Sequence, residues 1–207
     1  MHKLTFPLIG VTGRAHAGKD TICQMASELA LADRLRPATI ACADPLKELC
    51  AKVYCTAFDV PRTAFYGSYE DKAKELWPGW SGRKILQHIG TEGFRATHGK
   101  VWSQYMLGRA RRLLEEGSAD VVFVSDVRFV EEATTIQNAG GIIVRVYRKE
   151  ADERPVLHSS EADCDNIMHD VFIDNEGGDL ASLQELVREF LCHLNLHSLR
   201  TTSSRLA

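Results

Sequence analysis

Lys19 closes a run, Ile9-Gly10-Val11-Thr12-Gly13-Arg14-Ala15-His16-Ala17-Gly18-Lys19-Asp20-Thr21, whose residue types and spacing can grip a phosphate. Gly13 to Lys19 reads G-x-x-x-x-G-K, the spacing of a phosphate-binding loop. Small residues let the backbone of Gly13, Ala15, His16, Ala17 and Gly18 curl so that successive N–H groups face an anion. The helix that follows adds the positive end of its dipole, and Lys19 a mobile point charge for the terminal phosphates. Asp20 stands where a Ser or Thr commonly meets magnesium, and Thr21 comes one residue later. A carboxylate facing phosphates is repelled, so Asp20 is expected to turn away or to meet Mg²⁺ through water. Thr21 is then expected to take a phosphate oxygen. The bland alternative is a glycine-rich turn that merely caps a helix.

A second set of candidates sits where apolar runs end in charge. Val121-Val122-Phe123-Val124-Ser125-Asp126 reads as a buried parallel strand with an acid at its C-terminal tip, a place for a carboxylate serving Mg²⁺. Arg128 follows it, a fork-shaped cation for an acceptor phosphate or the group in flight; otherwise it pairs with Asp126 or Glu131. Asp44 and Lys47 follow the short buried strand candidate 38–42, where substrate contact and a helix N-cap by Asp44 with Pro45 at N1 are both expected. Ser81 caps a helical stretch in which Arg83, Gln87 and Gly90 share a face at steps of three and four. An arginine, an amide and a gap suit a phosphate and a base edge, with room for a flat ring at Gly90 and a second cation in Arg95. A solvated helix face is the alternative. His158, Cys164 and His169 have no ordinary zinc spacing.

The elements that must position these groups follow from periodicity. Strands are expected at 4–11, 38–42, 121–126, 142–147 and 171–174. Helices are expected from the loop to about Leu35, ended by Pro37, and at 46–56, 101–116, 130–138 and 180–194. The helix 101–116 buries Trp102, Tyr105, Met106, Ala110, Leu113 and Leu114. The last is built on Leu180, Leu183, Leu186, Val187 and Leu191. Asp59 to Trp80 mixes Pro, Gly, aromatics and charges without a period, and reads either as a substrate-facing insertion or as an excursion whose aromatics pack on the body. A mobile lid is placed at about 148–165, with Arg148 and Arg154 as cations and His158-Ser159-Ser160-Glu161 as a helix start. The chain is organised as one domain over 1–196, with an insertion at about 56–100 and a frayed tail at 197–207.

The 207 residues carry a net charge of −3, so no overall field favours nucleic acid. No stretch approaches about 18 apolar residues and no signal-like segment opens the chain, so neither a membrane nor secretion is expected. The six cysteines include no C-x-x-C and read as reduced, packed thiols of a cytoplasmic protein.

Gly18-Lys19-Asp20-Thr21 looks like the loop of nucleoside monophosphate kinases rather than of GTPases or motor ATPases. Together with Ala43-Asp44-Pro45-Leu46-Lys47-Glu48, Leu86-Gln87-His88-Ile89-Gly90-Thr91-Glu92 with Arg95, Ser125-Asp126-Val127-Arg128-Phe129 with Glu131–Glu132, and His158-Ser159-Ser160-Glu161, it resembles the bacteriophage-type deoxynucleoside monophosphate kinases. The order is the family's, over about residues 9–175. Val130 stands where the family leads one to expect proline. The resemblance implies a P-loop kinase fold: a three-layer α/β/α arrangement with a central parallel sheet, an NMP-binding segment and a lid. It implies ATP with Mg²⁺ as donor, a deoxynucleoside 5′-monophosphate (dNMP) as acceptor, and the cytoplasm of a host cell if the gene is a phage's. On this reading Lys19, Asp126 and Arg128 are catalytic. The loop residues 13 and 15–21 with Arg148 hold ATP, and Asp20 and Asp126 meet the metal. Asp44, Lys47, Arg83, Gln87, Gly90, Arg95 and Arg128 hold the acceptor. A homodimer is compatible with the sequence. Three rivals remain open: a kinase of another small molecule such as dephospho-coenzyme A or a phosphorylated mevalonate, a nucleic-acid-stimulated ATPase, and a non-catalytic nucleotide sensor.

Overall fold

A strand with parallel partners on both edges and helices on both faces must be apolar throughout. β1 (Leu8–Thr12) is buried at every position. The computed structural model describes residues 5–153, 163–176, 179–194 and 196. The expected strand position Leu4, the stretch 154–162 with Arg154 and His158-Ser159-Ser160-Glu161, and the tail 197–207 lie outside them. The chain divides into two compact units, Met1–Ala41 with Ser103–Ala207, and Cys42–Trp102.

The first unit is built on five parallel strands in the order β2-β5-β1-β6-β7. They are β1, β2 (Pro37–Ile40), β5 (Val121–Val127), β6 (Ile142–Tyr147) and β7 (Val171–Asp174). β1 is central, flanked by β5 and β6. Alternate residues of these strands face two layers. Ile9, Val11, Phe123, Val144 and Val146 pack with α1 (Lys19–Ala32) and the C-terminal helix Leu180–Leu194. Gly10 and Ile143 face α7 (Val130–Asn138), where Ile136 is fully buried.

Several expectations are corrected. β2 lies at the sheet edge and is only partly buried, and Pro37 opens it rather than ending a helix; an edge strand tolerates a first residue without an N–H. α1 stops at Ala32, because Arg34 takes a left-handed conformation (φ 61°) and Leu35 N–H closes on Ala30 O. In α6 (Val101–Glu115) Tyr105 is exposed and Leu107 is buried in its stead; in the C-terminal helix Leu180 and Leu186 are exposed and Phe190 is buried.

The second unit has its own core of Leu46, Cys50, Ala51, Val60, Ala64, Phe65, Ile85 and Trp102. α2 spans Asp44–Phe58, with Ala43 at its cap position, so Asp44 is a first-turn residue and not the N-cap. The stretch read as aperiodic is ordered. It forms α3 (Thr63–Tyr66), α4 (Tyr69–Ala73) and a hairpin of β3 (Glu75–Trp77) and β4 (Trp80–Ser81). Tyr54 stacks on Trp77 and meets Phe65 and Phe58, so Phe65 and Trp77 of this stretch pack inward, while Tyr66, Tyr69 and Trp80 are exposed. α5 (Gly82–Gln87) begins with Ser81 Oγ accepting from Lys84 N–H, as the serine predicts, and passes into a π-helix over His88–Arg95.

Candidate phosphate-binding site

The register of the sheet builds the site. β1 and β5 run parallel with Thr12 opposite Val127, so the chain leaves both strands side by side, into Gly13 on one and Arg128 on the other. The loop from Gly13 to Gly18 takes left-handed conformations at Gly13 (φ 146°), His16 (φ 68°) and Gly18 (φ 100°). Alternation of this kind makes a concave nest of backbone N–H groups. A Cβ at Gly13 would stand 2.4 Å from Val146 O, and at Gly18 2.6 Å from the Asn175 amide nitrogen, so both positions need glycine twice over. His16 holds its conformation without that freedom, a strained backbone of the sort found at ligand clamps.

Among the loop residues, Ala17 N–H donates to Arg14 O, while the first helical bond of α1 runs from Ile22 N–H to Gly18 O. The N–H groups of Lys19, Asp20 and Thr21 precede that bond and have no partner within the helix. Asp20 is exposed in the first turn and Asp126 half-buried in β5. No three His, Cys, Asp or Glu side chains cluster as metal ligands among the described residues. Magnesium gripped mainly by phosphates and water needs only one or two carboxylates, and this pair fits that.

Lys19 Nζ donates to Gly13 O (2.9 Å) and Arg14 O (2.8 Å), folded over its own loop. Burial pushes its pKa down, and the positive charge of Arg128 pushes it further, against weaker opposing effects from Cys164, Asp20 and Asp126. The Arg128 backbone is fixed on two sides. Its N–H donates to the buried carboxylate of Glu132 (2.9 Å), and its carbonyl accepts from the Cys164 thiol (3.6 Å). Its side chain is exposed, and Glu131 accepts from Ser103 Oγ (2.6 Å). Lys19, beside a nest of N–H groups, thus lies within range of the Arg128 charge, and a bound anion would relieve that repulsion. At the expected proline, Val130 N–H donates to Asp163 Oδ2 (2.9 Å), a bond proline could not make.

Residues without a place in the sequence reading support the loop. Arg145 carries the charge inside apolar β6. Its guanidinium meets Asp152 (3.1 Å), Asp165 (3.0 Å) and Cys164 O (2.8 Å). Asp165 also binds Arg14 of the loop; burial works to raise its pKa, and the Arg14 and Arg145 hydrogen bonds overcome that and hold it below the usual carboxylate range. Asn175 Nδ2 donates to Ala17 O (2.9 Å). A lone arginine in a buried strand, which demands an acid partner, was the legible signal for the first of these contacts. Arg148, expected to close over ATP, is half exposed and pairs with Glu150 (3.0 Å).

In the second unit, Arg83 lays its guanidinium over the Tyr69 ring, 3.6 Å from the centroid, and its Nε is buried with no hydrogen-bond partner among the described residues. Gln87 ends α5, and Arg95 donates to Gly99 O (3.3 Å). Lys47 lies 4.0 Å from Asp44. The room expected at Gly90 is filled: a Cβ there would stand 2.5 Å from Leu46 Cδ2, and Gly90 O accepts from Trp102 Nε1 (3.0 Å). The π-turn also takes Gly90 out of the α spacing that placed it with Arg83 and Gln87.

No protein-family model matches the chain. Over 151 residues it is 30% identical to a protein of Acanthamoeba polyphaga mimivirus named "Putative deoxynucleotide monophosphate kinase", covering 68% of this chain and 74% of that one. Among solved structures it is similar to shikimate kinase from Acinetobacter baumannii in complex with shikimate, with a TM-score of 0.44 and 11% identity over 91% of this chain and 92% of that one. With its phosphate loop, its parallel sheet order and this relative, the chain belongs to the deoxynucleotide monophosphate kinases, a family of P-loop kinases.

Proposed function

We propose that the protein transfers the γ-phosphoryl group of ATP to a deoxynucleoside 5′-monophosphate, giving ADP and a dNDP. The observation that carries this reading is the pair Lys19 and Arg128, two cations held together at the loop against their own repulsion. The name of the mimivirus relative supports the choice of acceptor. Mg²⁺, when bound with ATP, would neutralise charge on the donor phosphates.

An acceptor phosphate oxygen is already ionised at neutral pH, so the reaction needs no strong general base. The residues act by positioning, charge neutralisation and exclusion of water. Lys19 and the loop amides from Gly13 to Thr21 hold the donor phosphates. Asp126 and Asp20 take the metal side through water. Arg128 holds the group in transfer. Arg83 and Arg95 take the acceptor phosphate, while Asp44, Lys47 and Gln87 read the nucleoside. The guanidinium of Arg83, set over the Tyr69 ring and only partly buried, supports its part. The test is ATP turnover with each of the four dNMPs and AMP, with products identified by ³¹P NMR. ADP and dNDP in equal amounts are expected; ADP with inorganic phosphate, or no turnover, overturns the proposal.

A further inference from the structure

We infer that Tyr69 is a positioning residue for Arg83, fixing the plane of its guanidinium so that the N–H edge is offered to the phosphomonoester of the acceptor. The inference rests on the reading of Arg83 given above. The guanidinium carbon sits over the Tyr69 ring, 3.6 Å from its centre, the separation of atoms in van der Waals contact. Stacking leaves the N–H donors of arginine in a plane parallel to the ring, directed past its rim. A phosphomonoester takes two such in-plane bonds at once. The Nε of Arg83 is buried and has no hydrogen-bond partner among the described residues, so the edge offered is that of the two Nη groups.

The surrounding elements fix both members of the stack. Ser68 caps α4 reciprocally with Asp71, each accepting a hydrogen bond from the other's N–H at 3.1 Å, so Tyr69 is held at the first helical position. Hydrogen bonding from the Ser68 N–H holds the Asp71 carboxyl below its usual range. On the other side, Gly82 is pressed against α3: a Cβ there would stand 1.8 Å from Ala64 O. That contact sets the start of α5, and Arg83 is the next residue. The hairpin turn is tied to α5 through Lys84 Nζ, which donates to Gly79 O (2.9 Å). The Tyr69 ring is itself partly exposed, at 42%, so its replacement does not empty the core.

The test compares Tyr69→Phe and Tyr69→Leu, each alone and combined with Arg83→Ala. Tyr69→Phe keeps the ring and is expected within about twofold of wild type. Tyr69→Leu is expected to raise KM for the dNMP about 3- to 30-fold, leaving KM for ATP within about twofold. In the Arg83→Ala background Tyr69→Leu adds nothing further. An unchanged dNMP KM in Tyr69→Leu, damage by Tyr69→Phe equal to that by Tyr69→Leu, or additivity with Arg83→Ala overturns the inference. The Arg83 Nε–H resonance reads the same stack without turnover. It is expected ring-current shifted in wild type and Tyr69→Phe, and displaced in Tyr69→Leu. A wild type inactive on every dNMP sinks the proposed function instead, and the resonance then decides: unmoved in Tyr69→Leu, it overturns the stack.

Discussion

Lys19 is held in a state that costs the free protein stability. Burial first, and then the charge of Arg128, lower its pKa below the ordinary lysine value. Between that lowered value and the ordinary one near 10.5 the unfolded chain binds more protons than the folded one, so stability rises with pH through this window. Below the lowered value the folded protein carries the full penalty of a charged Lys19. Lys19→Met, which keeps the stem and removes the charge, is therefore expected to melt at or above the wild-type temperature while losing phosphoryl transfer; a clear fall in Tm contradicts the burial argument. Bound phosphates reverse the shift, so ATP binding takes up a proton as pH approaches the lowered pKa, and affinity falls as pH rises through it. Calorimetry in buffers of different ionisation enthalpy reads that proton; release would contradict the assignment. Arg83→Ala is expected to raise KM for the dNMP about tenfold or more, the scale of a lost charged hydrogen bond, with a smaller change for ATP. The reverse ranking would move Arg83 to the donor side.

At the scale of elements, the weight falls on contacts that admit no side chain. The start of α5 lies against the Ala64 carbonyl, and only Gly82 fits there. Gly82→Ala is expected to cost about 1–3 kcal/mol through overpacking. Hydrogen exchange should show the loss within residues 42–102, with the β1–β5–β6 amides keeping their protection. Uniform loss across both units, or none, would contradict this. The elements also show what could be read in advance. All five strands of the main sheet were legible, because apolar runs between polar turns mark buried strands. β2 was read as buried because composition does not tell an edge strand from a central one. The hairpin and α4 escaped because each is too short for a period, although Ser68 with Asp71 at N3 was a capping signal in plain view. The π-helix could not be anticipated from steps of three and four, and it cost Gly90 its expected place. Glu132 stood in a recognised motif, yet its task of holding the Arg128 backbone needed the structure.

For the molecule as a whole, the net charge of −3 leaves cations to act where they are placed, and placement is set by topology. No helix among the described residues is long and apolar enough to cross a membrane. A central β1 with β5 beside it makes a phosphate loop and an arginine leave neighbouring strands together. That much of the candidate site was readable from the loop and from Asp126-Val127-Arg128. The ties that stiffen it, Asp165 to Arg14 and Asn175 to Ala17, join residues more than a hundred positions apart, and no local pattern announces them. The central claim is that Arg128 and Lys19, brought near each other by neighbouring strands, act together on a phosphoryl group in transfer. Single-turnover formation of dNDP by Arg128→Ala, in a protein whose circular dichroism matches wild type, measures it. A fall of about 10³-fold or more is predicted from the worth of an arginine on a transferring phosphoryl group; a rate within about tenfold of wild type would contradict the account.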